Sequence, residues 1–525
     1  MKKLTALFLA LLLAVTVMPV ASMAETYAED DLVTVTFMMN ENANQTLLQD
    51  TIVLNYIKEH FGLDIQIMAI PGSDFSTKLS TSFATNDIAD VTYGVTTANI
   101  GAFDLEYMLV NLMDYADQLP NYFGLAFDEN NPTRYEATKS FMSQNSEGKD
   151  AMYILRKMEY DRVDIAPISA IRGDLLDELG LERPTSWAEL YDVMLAIKEA
   201  HPDVYFFSSR AGAQRILACL AYGMGSGGFG TFDTIGIYLE PETDTWTYGP
   251  TQESFRSVVQ YLANAWQDGL VDPDYASNDA NNLWEKISTG KVVYYNDNNS
   301  FISRIFEPAF TSAGNDDWYF ELLAPLANDY TPTRTLRYEL DWSDGVAISK
   351  DCPALDRVLA LFDWMYTDEG ARVMNFGVEG ESYYIDENGN PMIVDEIMEA
   401  TAGAADQYAA INSVIGTGIW GMALYIDEGI YRQIYGDLFF EQGDIIRGWT
   451  EEGLIDYKYM TPAFTLEEQE EVTELTMELQ TQFDSNIDAF ITGTRSMDEW
   501  DDFVQEQLDA GSERLEELYN TAYKR

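Results

Sequence analysis

Apolar and polar positions alternate along the amino-terminal part of the chain in a way that predicts strands separated by helices. Residues 33–39 have the period of a half-buried strand, and a helix is predicted over about residues 46–60. A second strand is predicted over 64–70, followed by a helix that ends at Asn86 and a third strand that opens at Asp90. This β-α-β-α-β order indicates a parallel sheet in an α/β protein.

A second regularly patterned stretch covers residues 338–392. A strand is predicted over 345–349, and two helices follow it, the second beginning near Thr367 or Asp368 and ending at Gly377. An Asn-Gly pair then predicts a hairpin turn. The first of these helices is predicted from apolar residues at the spacing of one buried face: Leu355, Val358, Leu359, Phe362 and Met365.

The length and the amino terminus indicate a large exported protein. The chain has 525 residues, of which 46% are hydrophobic, so it can bury a large core, and its length indicates roughly three domains or two large lobes. Lys2 and Lys3 precede an apolar run over 4–18, and small residues follow at 21–24. This order predicts a secretory signal peptide cleaved after Ala24, with an uncleaved anchor as the alternative. We therefore expect a periplasmic, cell-envelope or extracellular location.

The cysteines say little about covalent attachment or cross-linking. None follows the apolar run, so the sequence has no lipobox cysteine and predicts no lipid anchor there. Cys219 and Cys352 are the two cysteines of the chain. An oxidising compartment would allow a disulfide between them, and two buried free thiols are the alternative.

The charge excludes one class of partner. The formal net charge of −57 results from 88 Asp and Glu against 31 Lys and Arg. Such a chain repels nucleic-acid phosphates, so nucleic acid is not an expected partner. The acids are spread through the whole chain, which is typical of a solvated acidic surface. With so many carboxylates, a pair of them does not identify a glycosidase.

Few residues would support a metal site or catalysis. His60 and His201 are the only histidines, and neither has a further ligand at metal spacing, so no metal site and no Ser-His triad is predicted. Asp386, Asn388 and Asn390 resemble the start of a calcium loop, but the Gly and Glu that such loops need later are missing, which favours a hairpin turn. We therefore expect no cofactor and no enzymatic activity.

Several fragments resemble, in order, segments of extracellular solute-binding proteins, the capture subunits of ABC importers. They are LVNLMDYADQLPNY, the pair IRGD and LGLERPTSWAEL, LWEKISTGKVVYYND, DWMYTDEGARVMNFG and AFITGTRSMDEWDDF. The relatives that they suggest are the large sugar- and oligosaccharide-binding members. The resemblance implies a two-lobed α/β fold of the periplasmic-binding-protein type (type II), with several segments crossing the hinge.

The same resemblance divides the chain into lobes. After the signal peptide at 1–24, the first lobe is expected to comprise 33–150 plus 325–400. The second lobe is expected to comprise 151–324 plus 401–525, including the carboxy-terminal helices.

The resemblance also implies a function. The protein is expected to capture a carbohydrate, in particular an oligosaccharide, by lobe closure and to deliver it as a monomer to the permease subunits of an ABC transporter. Two alternatives remain open. One is a peptide or other small-solute binder of the same fold, and the other is a secreted polysaccharide-degrading enzyme.

Sugar recognition indicates which residue types to look for. Aromatic rings cover the C–H faces of a sugar, and Asp, Asn, Glu and Arg bind its hydroxyls. Such residues are expected at strand-to-loop junctions, with Arg210 as a further candidate cation. The predicted ligand-binding residues are Trp342, Trp420, Tyr93, Tyr295, Asn296, Asp344, Asn40, Arg172, Trp284 and Arg337.

Overall fold

The structure is a computed structural model. It describes residues 27–42, 45–101, 103–139, 141–161, 165–227, 236–337, 344–404, 406–457, 461–462 and 464–525. The signal peptide predicted over 1–24 and the predicted site residue Trp342 lie outside the described residues. The backbone of Arg337 is described, but its side chain is not.

The strands form two main sheets and several short pairs. In chain order they are β1 (Val33–Glu41), β2 (Leu63–Pro71), β3 (Val91–Val95), β4 (Met142–Gln144), β5 (Asp150–Met152), β6 (Leu155–Arg156), β7 (Met158–Asp161), β8 (Pro167–Arg172), β9 (Ile237–Glu240), β10 (Thr245–Tyr248), β11 (Tyr294–Asn298), β12 (Phe320–Leu322), β13 (Leu336–Arg337), β14 (Gly345–Ile348), β15 (Tyr383–Ile385), β16 (Pro391–Ile393), β17 (Tyr425–Asp427) and β18 (Asp456–Tyr457).

Helices cover the faces of these sheets. The α-helices are Ile52–Phe61, Gly72–Thr85, Thr97–Ile100, Leu105–Met108, Pro120–Ala126, Pro132–Lys139, Gly173–Leu179, Trp187–Ala200, Gly212–Leu220, Glu253–Gln267, Ala280–Ser288, Glu307–Ser312, Leu355–Met365, Asp368–Phe376, Asp395–Thr401, Gln407–Ile415, Ile430–Tyr435, Asp437–Glu451, Leu466–Thr492, Trp500–Asp509 and Ser512–Tyr523. A π-helical turn covers Ile302–Phe306.

The first sheet has the strand order β2-β1-β3-β14-β6. β1 pairs in parallel with β2 and β3, which confirms the predicted parallel arrangement. β14 runs antiparallel to β3 and β6, so that Gly345 lies beside Val95 and Arg156. The carboxyl ends of β1, β3 and β6 and the start of β14 therefore meet at one edge of the sheet.

Polar side chains fix the ends of the elements around this sheet. The Thr51 hydroxyl accepts a backbone N–H at 3.2 Å and caps the first long helix, which therefore begins later than predicted. Asn86 adopts φ 52° and ψ 34° and ends the next helix, as predicted. The Asp90 carboxylate accepts the Thr36 backbone N–H at 2.7 Å, which ties the start of β3 to β1.

The first core packs around the helix predicted from its apolar face. Val358, Leu359, Phe362 and Met365 are all buried there, while Leu355 is partly buried. The Phe362 ring lies 6.2 Å from that of Phe37 on β1, between centroids. The apolar stripe read from the sequence is therefore the face that contacts the sheet.

The second lobe is built on a smaller antiparallel sheet. β8 lies between β11 and β12, and its core includes Trp187, Phe255 and the fully buried Trp500. The Trp500 ring lies 5.1 Å from Phe490 and 4.9 Å from Phe503, so the carboxy-terminal helices are part of this core.

The chain passes between the two lobes after β7, between β12 and β14, and along the helix Asp437–Glu451. The last of these has Phe439 in the first core, whereas Ile446 packs against Ile168 of β8. Several crossing segments are what the predicted hinge requires.

One part of the predicted lobe division needs correction. Residues 401–525 were expected in the second lobe, but the buried side chains Tyr408, Ile411 and Tyr431 pack with the first core. Helical periodicity identifies the buried face of a helix and not the sheet that covers it, so sequence could not assign this segment. Elsewhere the division stays a prediction.

Two smaller observations bear on location and cross-linking. Cys219 and Cys352 are both buried and unpaired, which confirms the interpretation as free thiols. None of the helices in the described part of the chain combines the length and apolar character needed to cross a bilayer.

Truncating Trp500 tests the importance of the second core. We expect Trp500→Ala to lower the free energy of unfolding by about 3–5 kcal/mol, because a large buried ring leaves a cavity. Tyr107, whose side chain is 68% exposed, provides the control. Tyr107→Ala should change the free energy by no more than about 0.5 kcal/mol. Urea unfolding followed by circular dichroism measures both, and equal effects would contradict the packing described.

Candidate ligand-binding site

A buried lysine joins three chain segments at the polar edge of the first sheet. The Lys157 Nζ donates to Asp344 Oδ2 at 2.9 Å and to the Ile419 carbonyl oxygen at 3.2 Å. The Lys157 backbone N–H also donates to the Asp344 carbonyl oxygen at 3.1 Å. These bonds hold the loop that contains Trp420 next to the start of β14, so two predicted site residues, Asp344 and Trp420, lie at the same place.

A series of aromatic rings leads away from Trp420 across the first lobe. Trp420 is partly buried, and its ring lies 6.0 Å from that of Tyr408. The Tyr408 ring lies 4.8 Å from Tyr431, which in turn lies 5.1 Å from Tyr435 in a stacked arrangement. Tyr408 and Tyr431 are buried, whereas Tyr435, like Trp420, is partly exposed.

The second lobe presents a matching aromatic group beyond the end of β11. The Trp284 ring lies 4.7 Å from Phe301 and 5.3 Å from Phe306. Trp284 and Phe301 are partly exposed, while Phe306 is fully buried behind them. Their support by a buried ring gives these two side chains fixed orientations.

Arg304 joins the two aromatic groups across the lobes. Its guanidinium carbon lies 5.5 Å from the Phe301 ring centroid and 4.4 Å from that of Tyr435. Its Nη2 lies 3.8 Å from Asp406 Oδ2 on the first lobe. We call this set of residues the interlobe strip. It comprises Trp284, Phe301, Arg304, Tyr435, Tyr431, Tyr408 and Trp420.

A charged cluster lies beside the strip on the second lobe. Asp297 Oδ2 accepts from Arg210 Nε at 2.9 Å and from Arg215 Nε at 2.9 Å. Burial alone would raise the pKa of Asp297, but the hydrogen bonds from the two arginines outweigh it and lower that pKa below its usual value. The carboxylate is therefore ionised and shared between two cations.

Unsatisfied polar atoms accompany the same strand. Asn296 donates to Ser169 Oγ at 3.0 Å, but its Oδ1 is buried without a partner among the described residues. Asn299 accepts the Ala166 N–H at 3.0 Å, and its Nδ2 has no partner in that same part of the chain. The Ser300 Oγ is in the same state. Buried polar atoms without partners are costly, so a ligand or ordered water would stabilise this region.

Some of the predicted residues occupy this region and others do not contact it. Trp284 and Tyr295 have ring centroids 6.3 Å apart, and Tyr295 is a buried support of the aromatic group on the second lobe. Asn296 follows Tyr295 directly in the chain, on the same strand β11. Asn40 is exposed at the carboxyl end of β1, on the polar edge of the first sheet.

Two other predicted site residues, Tyr93 and Arg172, are almost fully buried and contact other parts of the protein. Tyr93 is only 3% exposed, and its hydroxyl donates to the Met422 carbonyl oxygen at 3.1 Å inside the first core. Arg172 is 2% exposed, donates to Asp174 at 2.6 Å and stacks over Trp318 at 3.8 Å. Both side chains are held within the protein, which leaves them poorly placed to contact a ligand.

Five members of the strip were missed from the sequence: Phe301, Arg304, Tyr435, Tyr431 and Tyr408. Phe301 and Arg304 follow the polar run at the end of β11, and that run is the signal that could have identified them. The π-helical turn at Ile302–Phe306 places them together, and such turns have no clear sequence pattern. Tyr435 contacts them only through the packing of the lobes.

Within the described residues, no group of three or more His, Cys, Asp or Glu side chains is arranged to hold a metal ion. The site is therefore made of aromatic rings, amides and ion pairs. Groups of these kinds are able to bind and orient a solute without reacting with it.

Comparison with known proteins identifies both a family and a fold. The family model for "Bacterial extracellular solute-binding protein" matches residues 43–372. A search of curated proteins finds no significant match to the chain.

Solved structures of similar fold come from bacterial binding proteins. An extracellular solute-binding protein from Bifidobacterium longum subsp. infantis is 17% identical with a TM-score of 0.73, covering 95% of this chain and 99% of that one. An HMO binding ABC-transporter associated solute-binding protein from Bifidobacterium longum infantis is 16% identical with a TM-score of 0.73, covering 94% and 99%. The S. pneumoniae ABC-transporter substrate-binding protein FusA, in complex with kestose, is 16% identical with a TM-score of 0.65, covering 94% and 99%. These matches confirm the two-lobed α/β fold.

The charged cluster predicts a specific dependence of stability on pH. Because the folded pKa of Asp297 is lowered, its ionised form stabilises the fold above the unfolded value of about 3.9. That contribution is lost as pH falls through the folded pKa. Asp297→Asn should therefore destabilise the protein at pH 7, and its difference from the parent protein should shrink below about pH 3.9.

Urea unfolding at a series of pH values measures this difference. Asp316→Asn, at an exposed position, removes the same charge and is the control. A difference for Asp297→Asn that stays constant down to pH 2 would contradict the assigned ionisation.

Proposed function

The chain belongs to the bacterial extracellular solute-binding proteins, and on that premise we propose that it captures an oligosaccharide between its lobes. The bound sugar would then be delivered to the permease subunits of an ABC transporter, with the protein acting as a monomer. Membership of this family implies export. Removal of a signal peptide after Ala24 remains part of the proposal.

The observation that supports this proposal is the interlobe strip. Partly exposed rings stand on both lobes, Trp284 and Phe301 on one and Trp420 and Tyr435 on the other. Flat apolar rings suit the C–H faces of sugars, and nearby amides and charged groups suit hydroxyls. A solute placed between the lobes could contact both sets at once.

Polar members of the site have separate proposed roles. Asp344 is held by Lys157 at the sheet edge, where one carboxylate oxygen can accept from a hydroxyl. Asn40 is exposed at the same edge, and the side-chain oxygen of Asn296 on the other lobe has no partner among the residues that the structure describes. Trp342 and Arg337 remain proposed ligand contacts in the segment that precedes Asp344.

The proposed mechanism is a shift between open and closed arrangements of the lobes. A ligand that contacts both lobes binds the closed state more tightly and increases its population. The two cores are large and well packed, so movement is concentrated in the crossing segments. Arg304 would act as a contact between the lobes in the closed arrangement, because it reaches Asp406 and Tyr435.

Structural relatives agree with a carbohydrate ligand. One is described as HMO binding and another was solved with kestose. The family is one of binding proteins, which argues against the polysaccharide-degrading alternative. A peptide or other small solute remains the competing ligand class.

Calorimetric titration against a panel of neutral and acidic oligosaccharides tests the proposal. We expect at least one oligosaccharide to bind with a 1:1 stoichiometry and to remain chemically unchanged after incubation. Binding of a peptide and of no glycan would contradict the carbohydrate assignment. Release of shorter sugars would favour the enzyme instead.

Ring truncation tests the site itself. Trp284→Ala and Trp420→Ala should each weaken binding of that oligosaccharide by about 10- to 30-fold, because each removes a stacking surface from one lobe. Tyr384→Ala, at a ring 44% exposed on the β15–β16 hairpin, is the matched control and should bind normally. Normal binding by both tryptophan variants would place the ligand elsewhere.

A further inference from the structure

We propose that Arg304 and Asp406 bind one hydroxyl group of the ligand between them, which makes an uncharged oligosaccharide the preferred solute. This inference rests on the proposed function and narrows its substrate class. It depends on a guanidinium group and a carboxylate that face each other across the lobes without a direct hydrogen bond.

Arg304 is held in place by aromatic rings, without use of its hydrogen-bond donors. Its guanidinium carbon lies 4.4 Å from the Tyr435 ring centroid and 5.5 Å from that of Phe301. Contact with ring faces orients a guanidinium group and leaves the N–H groups at its edge available. The Arg304 side chain is 24% exposed, and its Nε is buried without a partner among the described residues.

Asp406 presents one oxygen atom to Arg304 from the first lobe. Its Oδ1 accepts the Ala409 backbone N–H at 3.1 Å and caps the helix Gln407–Ile415. This bond fixes the orientation of the carboxylate, whose side chain is 15% exposed. The other oxygen, Oδ2, faces Arg304 and accepts no hydrogen bond within the part of the chain that the structure describes. A fixed acceptor on one lobe therefore faces available donors on the other.

The distance between the two groups suits an inserted oxygen atom. Arg304 Nη2 lies 3.8 Å from Asp406 Oδ2, beyond the range of about 2.7–3.2 Å for a direct hydrogen bond. An oxygen atom placed between them would lie within hydrogen-bond distance of both. A hydroxyl group can accept from the guanidinium group and donate to the carboxylate through that one atom. Both partly buried groups would thereby gain a hydrogen bond, which lowers the cost of their burial.

Two other arginines with low exposure make direct hydrogen bonds to their carboxylates. Arg334 binds Glu240 at 2.9 and 3.2 Å, and Arg495 binds Glu506 at 2.9 and 3.0 Å. Neither of these pairs belongs to the interlobe strip. The pair formed by Arg304 and Asp406 therefore differs from both in its longer separation, at the place where a solute is proposed to bind.

The charges of the pair disfavour a charged ligand group at this point. A carboxylate between them would be repelled by Asp406, and an ammonium group would be repelled by Arg304. The net charge of −57 adds a long-range repulsion of anionic solutes. A hydroxyl group carries no net charge and uses both partners, so an uncharged sugar unit fits best.

A sugar unit bound at the pair would also reach the rings of the interlobe strip. Phe301 contacts Arg304 and packs on Trp284, with ring centroids 4.7 Å apart. A sugar stacked on these rings could place a hydroxyl group between Arg304 and Asp406. Because the pair has one member on each lobe, this contact is complete only when the lobes are closed, so hydroxyl recognition would favour closure.

Paired ligands test the preferred solute class. Trigalacturonate and 3′-sialyllactose are titrated by calorimetry beside their carboxyl-reduced forms, with kestose and maltotriose as further uncharged probes. We expect the tightest uncharged probe to bind at least about 10-fold more tightly than either acidic probe, because the acidic groups meet repulsion and the hydroxyl gains charged hydrogen bonds. An acidic probe that binds as tightly as the best uncharged one would overturn this preference.

Substitution of the pair tests its contact with the sugar. Arg304→Gln and Asp406→Asn should each weaken binding of the tightest uncharged probe by about 10- to 100-fold. Asp406→Asn keeps a side chain that can cap the helix, so the midpoint of urea unfolding should stay the same. Arg514→Gln, which breaks an exposed ion pair with Glu471, is the control and should bind normally.

Monodeoxy derivatives of the same probe distinguish a ligand contact from a contact between the lobes alone. One derivative should bind the parent protein about 10- to 100-fold more weakly than the complete sugar. The same derivative should lose nothing further to Arg304→Gln, because the hydrogen bond is already absent. If Arg304→Gln weakens every derivative by the same factor, the pair only joins the lobes and the inference is wrong.

The outcomes separate this inference from the proposed function. Binding of an uncharged probe that neither Arg304→Gln nor Asp406→Asn weakens would refute the role of the pair and leave oligosaccharide capture standing. Failure of every glycan to bind would refute the proposed function itself.

Discussion

The contact on which the site depends is the ion pair between Lys157 and Asp344. Lys157 is only 8% exposed, and its ammonium group also binds the Ile419 carbonyl oxygen. Through it, the end of β6, the start of β14 and the Trp420 loop are held together at the point where the chain leaves the first lobe. An ammonium group buried this deeply needs all of its partners, because an unpaired charge there would be strongly destabilising.

The ion pair between Lys157 and Asp344 matters for the proposed function because it lies beside the region between the two lobes. Each has its own aromatic core, and between the cores lie partly exposed rings, Trp420 and Tyr435 on one lobe and Trp284 and Phe301 on the other. Rings provide surface, while the arginines of the second lobe provide fixed positive charge in a strongly acidic protein. Because well-packed cores resist deformation, a solute that contacts both sides can change only the angle between them. In the proposed capture by closure, the segments that connect the lobes would therefore take up the movement.

Sequence patterns predicted the parts of this structure that depend on local spacing. Four strands of the first sheet (β1, β2, β3 and β14), the buried face around Phe362 and the helix end at Asn86 were predicted correctly, since each is determined by neighbouring residues. The helix Asp368–Phe376 also ends at the predicted residue, Gly377. Its end differs from the one at Asn86, because Gly377 adopts φ 85° and ψ −141°, outside the left-handed helical region. Contacts between distant segments were not accessible in this way. Tyr93 was predicted to bind ligand as a ring near a strand end, but its side chain packs against Phe37 in the first core.

The same limit applies to the candidate site: local patterns indicated some of its residues, whereas contacts between distant segments could not be predicted. Trp420, Asp344 and Trp284 were predicted from polar and aromatic residues near strand ends, and the structure places them around one interlobe region. Arg172 stacks on Trp318, which is far away in sequence, so local patterns could not predict its surroundings. Tyr435 could not be found, since it meets Arg304 only when the segment around 435 packs on the first lobe and faces the second.

A crystal structure with a bound oligosaccharide would show where the solute lies. We expect sugar density between the lobes, with one ring of the ligand against Trp284 or Phe301 and another against Trp420 or Tyr435. Density confined to one lobe, or located on the outer face of the carboxy-terminal helices, would contradict it.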